Sequence, residues 1–283
     1  MTIDCYTLEM SRRRSQFKSG RSFAAGHQRS WLWGRHAVTE TLAAGRWPVL
    51  ELVIDEELPD DQVQEVQTFG ATNDVDVTLA SAARLSELCQ SEDHQGFLAR
   101  MGEFPCGTLE ELTQSLQNGV RTLDGSGRPL PFVFAVCDRI HDAHNFGAIL
   151  RSCDAMRCDG VIIGERYQVS ITPHVARSSA GAVNHQAIFR VPSLSAAIDE
   201  LKKFDVQTLA ASEKADTNLW NLDCRRNVAV VIGSEATGID AELLSRCDLM
   251  VSIPMLGTIN SLNAAVAAGI MLHEIRRQQF SVV

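Results

Sequence analysis

The chain divides into two regions with different patterns of hydrophobic and polar positions. Between residues 31 and 103, amphipathic stretches at helical spacing alternate with short strand-like stretches, which predicts a small layered α/β unit. The predicted helices are GRHAVTETLAAG, DDQVQEVQTFGA and AARLSELCQ, of which the second should end near Gly70. The predicted strands are VLELVID, DVDVTLA and GFLARM.

Residues 131–283 have a different hydrophobic pattern, in which the predicted strands are apolar throughout. They read FVFAVC, GVIIG, AIFRV, VQTLAA, VAVVIG and LMVSIP, and helical stretches separate most of them. Strands that are apolar at every position are buried on both faces, which is typical of a parallel sheet covered by helices. Because ligands of such sheets bind beyond the carboxyl ends of the strands, functional residues are expected in the segments that follow them.

Two further segments lack these patterns. Residues 104–130 are rich in Pro and Gly around one short helical stretch, LEELTQSLQ, and this composition predicts a linker. Residues 1–30 carry six Arg and Lys against two acids, a net charge of +4, and predict a disordered basic tail. Two interpretations of the tail stay open, an arm that tethers RNA and a solvated extension without a role.

Composition excludes several classes of protein. The formal net charge is −9, and residues 51–94 hold twelve acids against Arg84 alone, which argues against non-specific coating of nucleic acid and against a DNA partner. No apolar stretch reaches the ~18 residues of a membrane helix, and the chain start has no apolar core of a secretory signal. The eight cysteines form no C-x-x-C pair, so we expect reduced thiols in a cytoplasmic protein, with no metal site.

Three polar segments follow three of the apolar strands. In DRIHDAHNFGAILR, residues 138–151, Asn145 is a predicted N-cap and Gly147 leaves room on the first helical turn. In GSEATGI, residues 233–239, a Gly-rich turn carries a single carboxylate, Glu235. Taken alone, each segment is explained by a capped helix or by a turn with a carboxylate near a helix N-terminus.

The third segment is IPMLGTINSLNAAVAAGI, residues 253–270. Ser261 is predicted to begin the final helix and Asn263 to lie in its first turn, where free N–H groups create a positive potential. The small residues that follow permit close approach of another backbone, and tight helix packing alone would explain them.

The three segments together are far more specific than any one of them. The order N-x-G-x-x-x-R, G-S-E-x-x-G and I-P-M-x-G-x-x-x-S-L-N resembles the SpoU/TrmH family of RNA ribose 2'-O-methyltransferases over about residues 132–279. GRHAVTETL and DHQGFLA resemble that family's substrate-binding domain, which is similar to ribosomal protein L30e. The resemblance implies an α/β fold with a deep trefoil knot, bound S-adenosylmethionine, a homodimer, and a division into a tail (1–30), an L30e-like domain (31–103), a linker (104–130) and a methyltransferase domain (131–283).

The resemblance also implies roles for individual residues. The catalytic residues would be Arg151, Asn145, Glu235, Ser261 and Asn263. The cofactor-binding residues would be Gly233, Ile253, Leu262, Met255 and Gly257, with Leu209 and Ala210 in a stretch, 209–212, expected to form a loop. The family assigns proton handling to the arginine at position 151, but a guanidinium stays protonated and is a poor base. We therefore expect Arg151 to stabilise the developing alkoxide and to bind a substrate phosphate.

The motifs leave the substrate open and bear differently on three other functions. The resemblance favours a guanosine of 23S rRNA, with tRNA as the alternative, and a non-catalytic RNA-binding or ribosome-assembly protein on the same scaffold is the reading from another class. A methyltransferase for base nitrogens is disfavoured by the N-x-G-x-x-x-R segment, and a dinucleotide enzyme by the lack of G-x-G-x-x-G. Arg177, followed by Ser-Ser-Ala-Gly, is either an RNA-facing residue or the end of a helix capped by glycine.

Overall fold

The N-terminal part of the chain forms a four-stranded sheet flanked by helices. The structure is a computed structural model that describes residues 30–119, 121–124 and 126–280, so residues 1–29 of the predicted tail lie outside it. The strand order is β1-β4-β2-β3, in which only the β2–β3 pair is parallel. The elements are β1 (Trp31–Trp33), α1 (Arg35–Ala44), β2 (Val49–Asp55), α2 (Asp60–Asn73), β3 (Asp76–Ala80), α3 (Ala82–Cys89) and β4 (Phe97–Met101).

The C-terminal part forms a seven-stranded, entirely parallel sheet in the order β7-β6-β5-β10-β8-β11-β9. Every residue of β5 is buried, as are all but the last of β10, as continuous apolar runs predict. After α4 (Leu109–Asn118), the elements are β5 (Val133–Asp138), α5 (Ala143–Ala155), β6 (Gly160–Gly164), α6 (Pro173–Ser178), β7 (Ile188–Val191), α7 (Leu194–Lys202), β8 (Gln207–Ala211), β9 (Thr217–Asn218), β10 (Val228–Gly233), α8 (Ala241–Arg246), β11 (Leu249–Ser252) and α9 (Ala264–Phe280).

The fold class is confirmed as mixed α/β, with a mostly parallel sheet and a smaller N-terminal α/β unit. All six apolar strands expected in the C-terminal part are present, as are the three strands and three helices expected before residue 103. The trefoil knot stays a prediction.

Two details of the N-terminal unit differ from expectation. Helix α2 continues through Gly70 to Asn73 and ends at Asp74, which adopts the left-handed conformation with φ 57°. A Cβ on Gly70 would lie 2.4 Å from Val77, so this glycine permits close packing of α2 on β3 and does not stop the helix. Strand β1 was not predicted, because three consecutive buried residues show no alternation.

The segment between the two sheets is packed onto the second one. Thr108 and Glu111 form a reciprocal capping box at the start of α4. Leu112 and Leu116 of this helix are buried in a cluster that includes Phe189 of β7. Residues 109–118 therefore serve as part of the covering layer of the larger sheet.

The two sheets meet where the short helix α6 packs against β1. The Arg177 guanidinium lies 4.2 Å from the centroid of the Trp33 ring, and His174 contacts the same ring edge-on. Nearby, the Asn184 side chain donates a 3.0 Å hydrogen bond to the Thr41 hydroxyl. Arg177 lies in the last turn of α6, whose C-cap is Ser179 and not a glycine, and its side chain stacks on Trp33. An RNA-facing role for Arg177 stays a prediction.

A buried arginine ties the last helix to the segments that precede β5 and β6, at the amino ends of these strands. Arg276 of α9 is 3% exposed and donates hydrogen bonds to the carbonyl oxygens of Pro131, Met156 and Arg157 at 2.6–2.9 Å. Its guanidinium also lies 3.4 Å from the Asp159 carboxylate. Burial raises the pKa of Asp159 and outweighs the attraction of Arg276, and burial lowers the pKa of Arg276.

Candidate active site

Three segments far apart in the chain meet beyond the carboxyl end of the larger sheet. Strands β5 and β10 are hydrogen-bonded neighbours, so the segments that follow them emerge side by side. The Asn145 and Asn263 side-chain amides both donate to Oε1 of Glu235, the latter over 2.9 Å. Asn263 also donates to Oδ1 of Asn145 over 3.0 Å. The structure thus brings together three of the five predicted catalytic residues.

The local starts of two helices set the positions of both asparagines. Asp142 is the N-cap of α5, since its carboxylate accepts a 2.8 Å bond from the Asn145 backbone N–H, so the prediction that Asn145 is the cap was wrong. Helix α9 begins at Ala264 and not at Ser261, and Asn263 directly precedes it. Oδ1 of Asn263 accepts from the backbone N–H groups of Ala265 and Val266. The first turn of α5 and the residue that precedes α9 therefore each present an amide donor to the Glu235 carboxylate.

The Glu235 turn folds tightly over the end of β10. The Gly238 N–H donates to the Ser234 carbonyl over 2.7 Å, and Gly238 has φ +68°. A Cβ on Gly233 would lie 2.3 Å from backbone atoms of Gly238 and Ile239, so only glycine fits there. Gly233 thus allows the turn to close and carry Glu235 toward the asparagines.

Two residues that sequence reasoning did not single out hold this turn against β5. Asp138 is 5% exposed, and its carboxylate accepts a 2.7 Å bond from the Asp240 backbone N–H. Arg139 contacts the carboxylates of Asp138 and Asp240 at 3.3 and 3.6 Å and donates to the Gly238 carbonyl. The signal available in the sequence was an Asp-Arg pair immediately after a buried strand.

A cavity of about 340 Å³ opens beside the cluster. Its walls come from the segment after β5 and from the Glu235 turn. The lining residues are Arg139, Ile140, His141, Asp142, Ser234, Glu235 and Ala236. Charged and polar groups of both segments therefore surround one space at the edge where ligands of parallel sheets bind.

The other two predicted catalytic residues lie apart from the cluster. Arg151 is exposed on α5, six residues beyond Asn145, which turns it about 120° around the helix from that residue. Ser261 is exposed in the loop before α9. Within the described part of the chain, no hydrogen bond or ion pair is found for either side chain. The prediction that Gly147 leaves room on the first turn of α5 was wrong, because a Cβ there would lie 2.0 Å from the Ser178 hydroxyl of α6.

The predicted cofactor residues fall into two groups. Ile253, Met255, Gly257 and Leu262 lie in the loop between β11 and α9, where a Cβ on Gly257 would meet nothing within 4 Å. Leu209 and Ala210 lie within β8 and are fully buried, so the prediction that they form a loop was wrong, and the loop begins at Ser212. These loops follow adjacent strands, because β8 lies between β10 and β11.

The loop after β11 has the surface properties that a partly apolar cofactor requires. Two of its apolar side chains, Leu256 and Ile259, are 88% and 62% exposed and can contact a bound group. The segments after β8 and β10 emerge beside this loop, and Gly233 keeps the second of them close to its strand. The residues present therefore fit a group with apolar parts that lies across the ends of these three strands.

Neither a metal site nor a reactive cysteine is found in the described residues. No group of three His, Cys, Asp or Glu side chains there could hold a metal ion. The seven cysteines that the structure describes are free. Burial raises the pKa of Cys137 to about 12 and of Cys224 and Cys247 to about 11, which makes these thiols unreactive. Across the same residues, no helix combines the length and the apolar character that crossing a membrane requires.

Known proteins with related sequences share both parts of this architecture. The model of the SpoU rRNA Methylase family matches residues 133–273, and the model described as RNA 2'-O ribose methyltransferase substrate binding matches residues 31–105. A Staphylococcus aureus protein of the TrmH family of tRNA/rRNA methyltransferases is 33% identical over 251 residues, covering 88% of this chain and 96% of its own length.

Solved structures agree with these sequence matches. The SpoU methyltransferase AviRb from Streptomyces viridochromogenes, in complex with its cofactor AdoMet (S-adenosylmethionine), superimposes with a TM-score of 0.70 at 25% identity, covering 89% of this chain and 90% of AviRb. An RNA 2'-O ribose methyltransferase superimposes with a TM-score of 0.64 at 26% identity, covering 90% of each chain. With a relative 33% identical over most of both chains, the chain belongs to the SpoU/TrmH family of RNA methyltransferases.

Proposed function

We propose that the chain transfers a methyl group from S-adenosylmethionine to a ribose 2'-hydroxyl of structured RNA, on a guanosine of 23S rRNA. The observation that carries the proposal is the cluster of Asn145, Glu235 and Asn263, which borders a cavity at the carboxyl edge of the sheet. Relatives described as rRNA and as tRNA methyltransferases leave tRNA as the second substrate to test.

The chemistry requires alignment and removal of one proton. S-adenosylmethionine supplies a methyl group on a positively charged sulfur, which needs no further activation. A ribose hydroxyl is almost fully protonated at neutral pH, so the protein must orient the oxygen and favour its loss of a proton. The new bond joins the methyl carbon to the ribose oxygen, the sulfur–methyl bond breaks, and the proton leaves to a substrate phosphate or water.

The polar cluster is suited to orient the ribose. Glu235 accepts hydrogen bonds from two amides and keeps its second carboxylate oxygen for a hydroxyl. Asn145 would position the ribose, and Asn263 would fix the side-chain positions of Asn145 and Glu235 by donating a hydrogen bond to each. Because Glu235 contacts the two asparagines, we assign it to contact with the substrate.

The role proposed for Arg151 is electrostatic. Its guanidinium is exposed on α5, so it can approach a phosphate of bound RNA. Stabilisation of the developing alkoxide requires in addition that the bound RNA brings the ribose oxygen within reach of Arg151, which lies apart from the Asn145–Glu235 cluster. Ser261 would contact the substrate from the loop after β11. For the cofactor we propose contacts with backbone groups of Gly233, Ile253 and Leu262, with Met255 and Gly257 nearby; Leu209 and Ala210 could contribute only through their neighbours at the end of β8.

The remaining assignments concern organisation. We propose that residues 31–103 form the RNA-binding domain, 104–130 the connection and 131–283 the catalytic domain, and that the protein acts in the cytoplasm. The match of residues 31–105 to a substrate-binding domain supports the first assignment. The acidic residues between 51 and 94 make part of that domain a poor phosphate ligand, so its RNA contacts should lie elsewhere on its surface.

A homodimer is proposed because a groove between α5 and α9 is left uncovered, and its lining combines apolar side chains with polar ones that include Asn145 and Asn263. The groove has a volume of about 600 Å³ and is lined in part by Ala148, Ser152 and Gly269. Val266 and Ile270 at its edge are 49% and 39% exposed. A charged residue at either position, as in Val266→Glu, should convert a dimer to a monomer in light scattering after gel filtration; an unchanged mass would contradict this assignment.

The activity can be tested directly. Tritiated S-adenosylmethionine and the protein are incubated with 23S rRNA or tRNA transcripts, and the RNA is digested with alkali. A ribose methyl group blocks cleavage of the adjacent phosphodiester, so the proposal expects label in alkali-resistant dinucleotides. Label in mononucleotides would indicate base methylation, and no label with intact RNA binding would favour a non-catalytic RNA-binding or ribosome-assembly protein.

A pair of arginine variants tests the assignment of Arg151. Arg151→Ala should abolish transfer while cofactor binding, measured by calorimetry, is kept. Arg225→Ala is the matched control, because Arg225 is also exposed but pairs with Asp223. Near-normal turnover of Arg151→Ala would refute the electrostatic role.

A further inference from the structure

An exposed aromatic ring stands beside the candidate active site. Tyr167 lies three residues beyond the end of β6, and it is 73% exposed. Its neighbours Glu165 and Arg166 are exposed as well, and within the described residues no hydrogen bond or ion pair is found for the Arg166 side chain. A large ring placed in solvent has no role in packing the core, so its position calls for another explanation.

The backbone that presents this ring is held in place although its conformation is unfavourable. Tyr167 has φ 58°, a left-handed conformation that bulky residues rarely adopt and that persists only where the surroundings impose it. Here the surroundings are two hydrogen bonds in which the backbone N–H and the carbonyl of Ile140 pair with Gln168 and Val169, the two residues that follow Tyr167. The Ile140 N–H donates to Oε1 of Gln168 over 3.0 Å, and the Val169 N–H donates to the Ile140 carbonyl over 2.9 Å. The ring is therefore mounted on a fixed backbone and not on a loose loop.

The location of the ring follows from the strand order. Strand β6 flanks β5 on the side opposite β10, and Ile140, which anchors the Tyr167 loop, lines the cavity beside Glu235. The loops proposed to hold the cofactor follow β8, β10 and β11, on the other side of that cavity. A ribose in the cavity would therefore have the cofactor on one side and the Tyr167 loop on the other.

We propose that Tyr167 is a stacking platform for a base of the substrate RNA next to the methylated nucleotide, with Arg166 contacting the adjoining phosphate. The inference rests on the proposed function, since it names how that same site receives its RNA. Unpaired bases stack on aromatic side chains whatever their sequence, and arginines bind the phosphates between them. A rigid ring loses little conformational freedom on binding, which makes a fixed tyrosine well suited to this task.

The test separates stacking from folding and from cofactor binding. Tyr167→Leu keeps an apolar side chain but removes the ring, and Tyr167→Gly also relieves the left-handed strain. Both should weaken binding to the methyl-accepting transcript in a filter assay without cofactor by roughly 5- to 150-fold, and both should raise the KM for RNA. Affinity for S-adenosylmethionine should stay the same, and the Tm of Tyr167→Gly should equal or exceed that of the native protein. Tyr167→Phe keeps the ring and should lose less than threefold.

Trp220 provides the matched control. It is 62% exposed but lies between β9 and β10, away from the β6 side, so Trp220→Leu should leave RNA affinity within twofold. Tyr167→Leu binding within twofold of the native protein, or an equal loss in Trp220→Leu, would overturn the inference. If the native protein methylates no ribose, and Tyr167→Leu nevertheless binds RNA more weakly than the native protein, the proposed function fails and the stacking role stands. If ribose methylation is robust and Tyr167→Leu leaves it unaltered, the stacking role alone fails.

Discussion

Asn263 performs two separable tasks, and one substitution distinguishes them. Its Oδ1 caps α9, while its Nδ2 donates to Glu235 and Asn145. Asn263→Asp keeps the capping oxygen, and Asp caps helices as well as Asn does. It removes the donor and places a second negative charge about 3 Å from Glu235, where the structure has a 2.9 Å hydrogen bond.

The size of the effect follows from the bonds lost. A hydrogen bond to a charged acceptor contributes about 1.5–3 kcal/mol and a neutral one about 0.5–1.5 kcal/mol. Repulsion between two exposed carboxylates adds about 1 kcal/mol. Because water replaces part of the lost bonding at this exposed site, we expect about 2–4 kcal/mol, which is roughly a 30- to 1,000-fold loss in kcat/KM for RNA methylation. The Tm should change by less than about 2 °C, because the cap is kept.

Asn263→Ala completes the comparison. It loses both tasks, so it should match the activity loss of Asn263→Asp and in addition lower the unfolding free energy by about 0.5–2 kcal/mol in urea titrations followed by circular dichroism. Asn263→Asp with methylation within threefold of the native rate would refute the link between this hydrogen bond and catalysis. Equal destabilisation of the two variants would refute the assignment of the cap.

Other expectations concern the buried arginine, its carboxylate partner and the helix contact at Gly147. Arg276→Met leaves three carbonyl oxygens without the donor seen here and removes the cation beside the Asp159 carboxylate, which keeps its hydrogen bonds from Val133 and Thr122, so the unfolding free energy in urea should fall by about 3–5 kcal/mol. The exposed control Arg277→Ala should lose less than about 1 kcal/mol, and a loss of less than about 1 kcal/mol in Arg276→Met would contradict the reasoning. The raised pKa of Asp159 means that its contribution is full below the ordinary carboxyl range near pH 4 and is lost as the pH rises through the raised value. Asp159→Asn should therefore flatten the fall in stability above about pH 4, and parallel curves for the two proteins would count against it. Gly147→Ala should lose about 1–3 kcal/mol in the same titration, because the added Cβ meets Ser178 and a backbone nitrogen; native stability would mean that α6 can move aside.

The larger sheet could be predicted because parallel strands buried on both faces leave an unambiguous apolar signal. The meeting of Asn145, Glu235 and Asn263 was likewise accessible, because their segments follow the carboxyl ends of three strands of one parallel sheet, β5, β10 and β11, and resemble motifs of one family. The first residues of the helices could not be predicted, because several consecutive polar residues can each cap a helix. A single hydrogen bond decides which of them is the cap. In the stretch DAHN the capping residue is Asp142, and in the stretch SLN it is Asn263.

Other features depend on contacts that no local pattern encodes. Asp138 and Arg139 hold a turn about 100 residues away in sequence. The backbone at Tyr167 is held by hydrogen bonds that the next two residues, Gln168 and Val169, make with Ile140. Gly147 could be recognised as important from its motif, but only the position of Ser178 shows that a neighbouring helix, and not a ligand, fills the space above it.

Helix α6 has only six residues, yet two adjacent side chains in it face different partners. Arg177 stacks on Trp33 of the smaller sheet, while the Ser178 hydroxyl donates to the carbonyl of Ala143, the first residue of α5. Asn145 lies two residues further along. If RNA binds as proposed, a rotation of the smaller unit would therefore displace the first turn of α5, which carries Asn145, and so couple RNA docking to the geometry of the polar cluster.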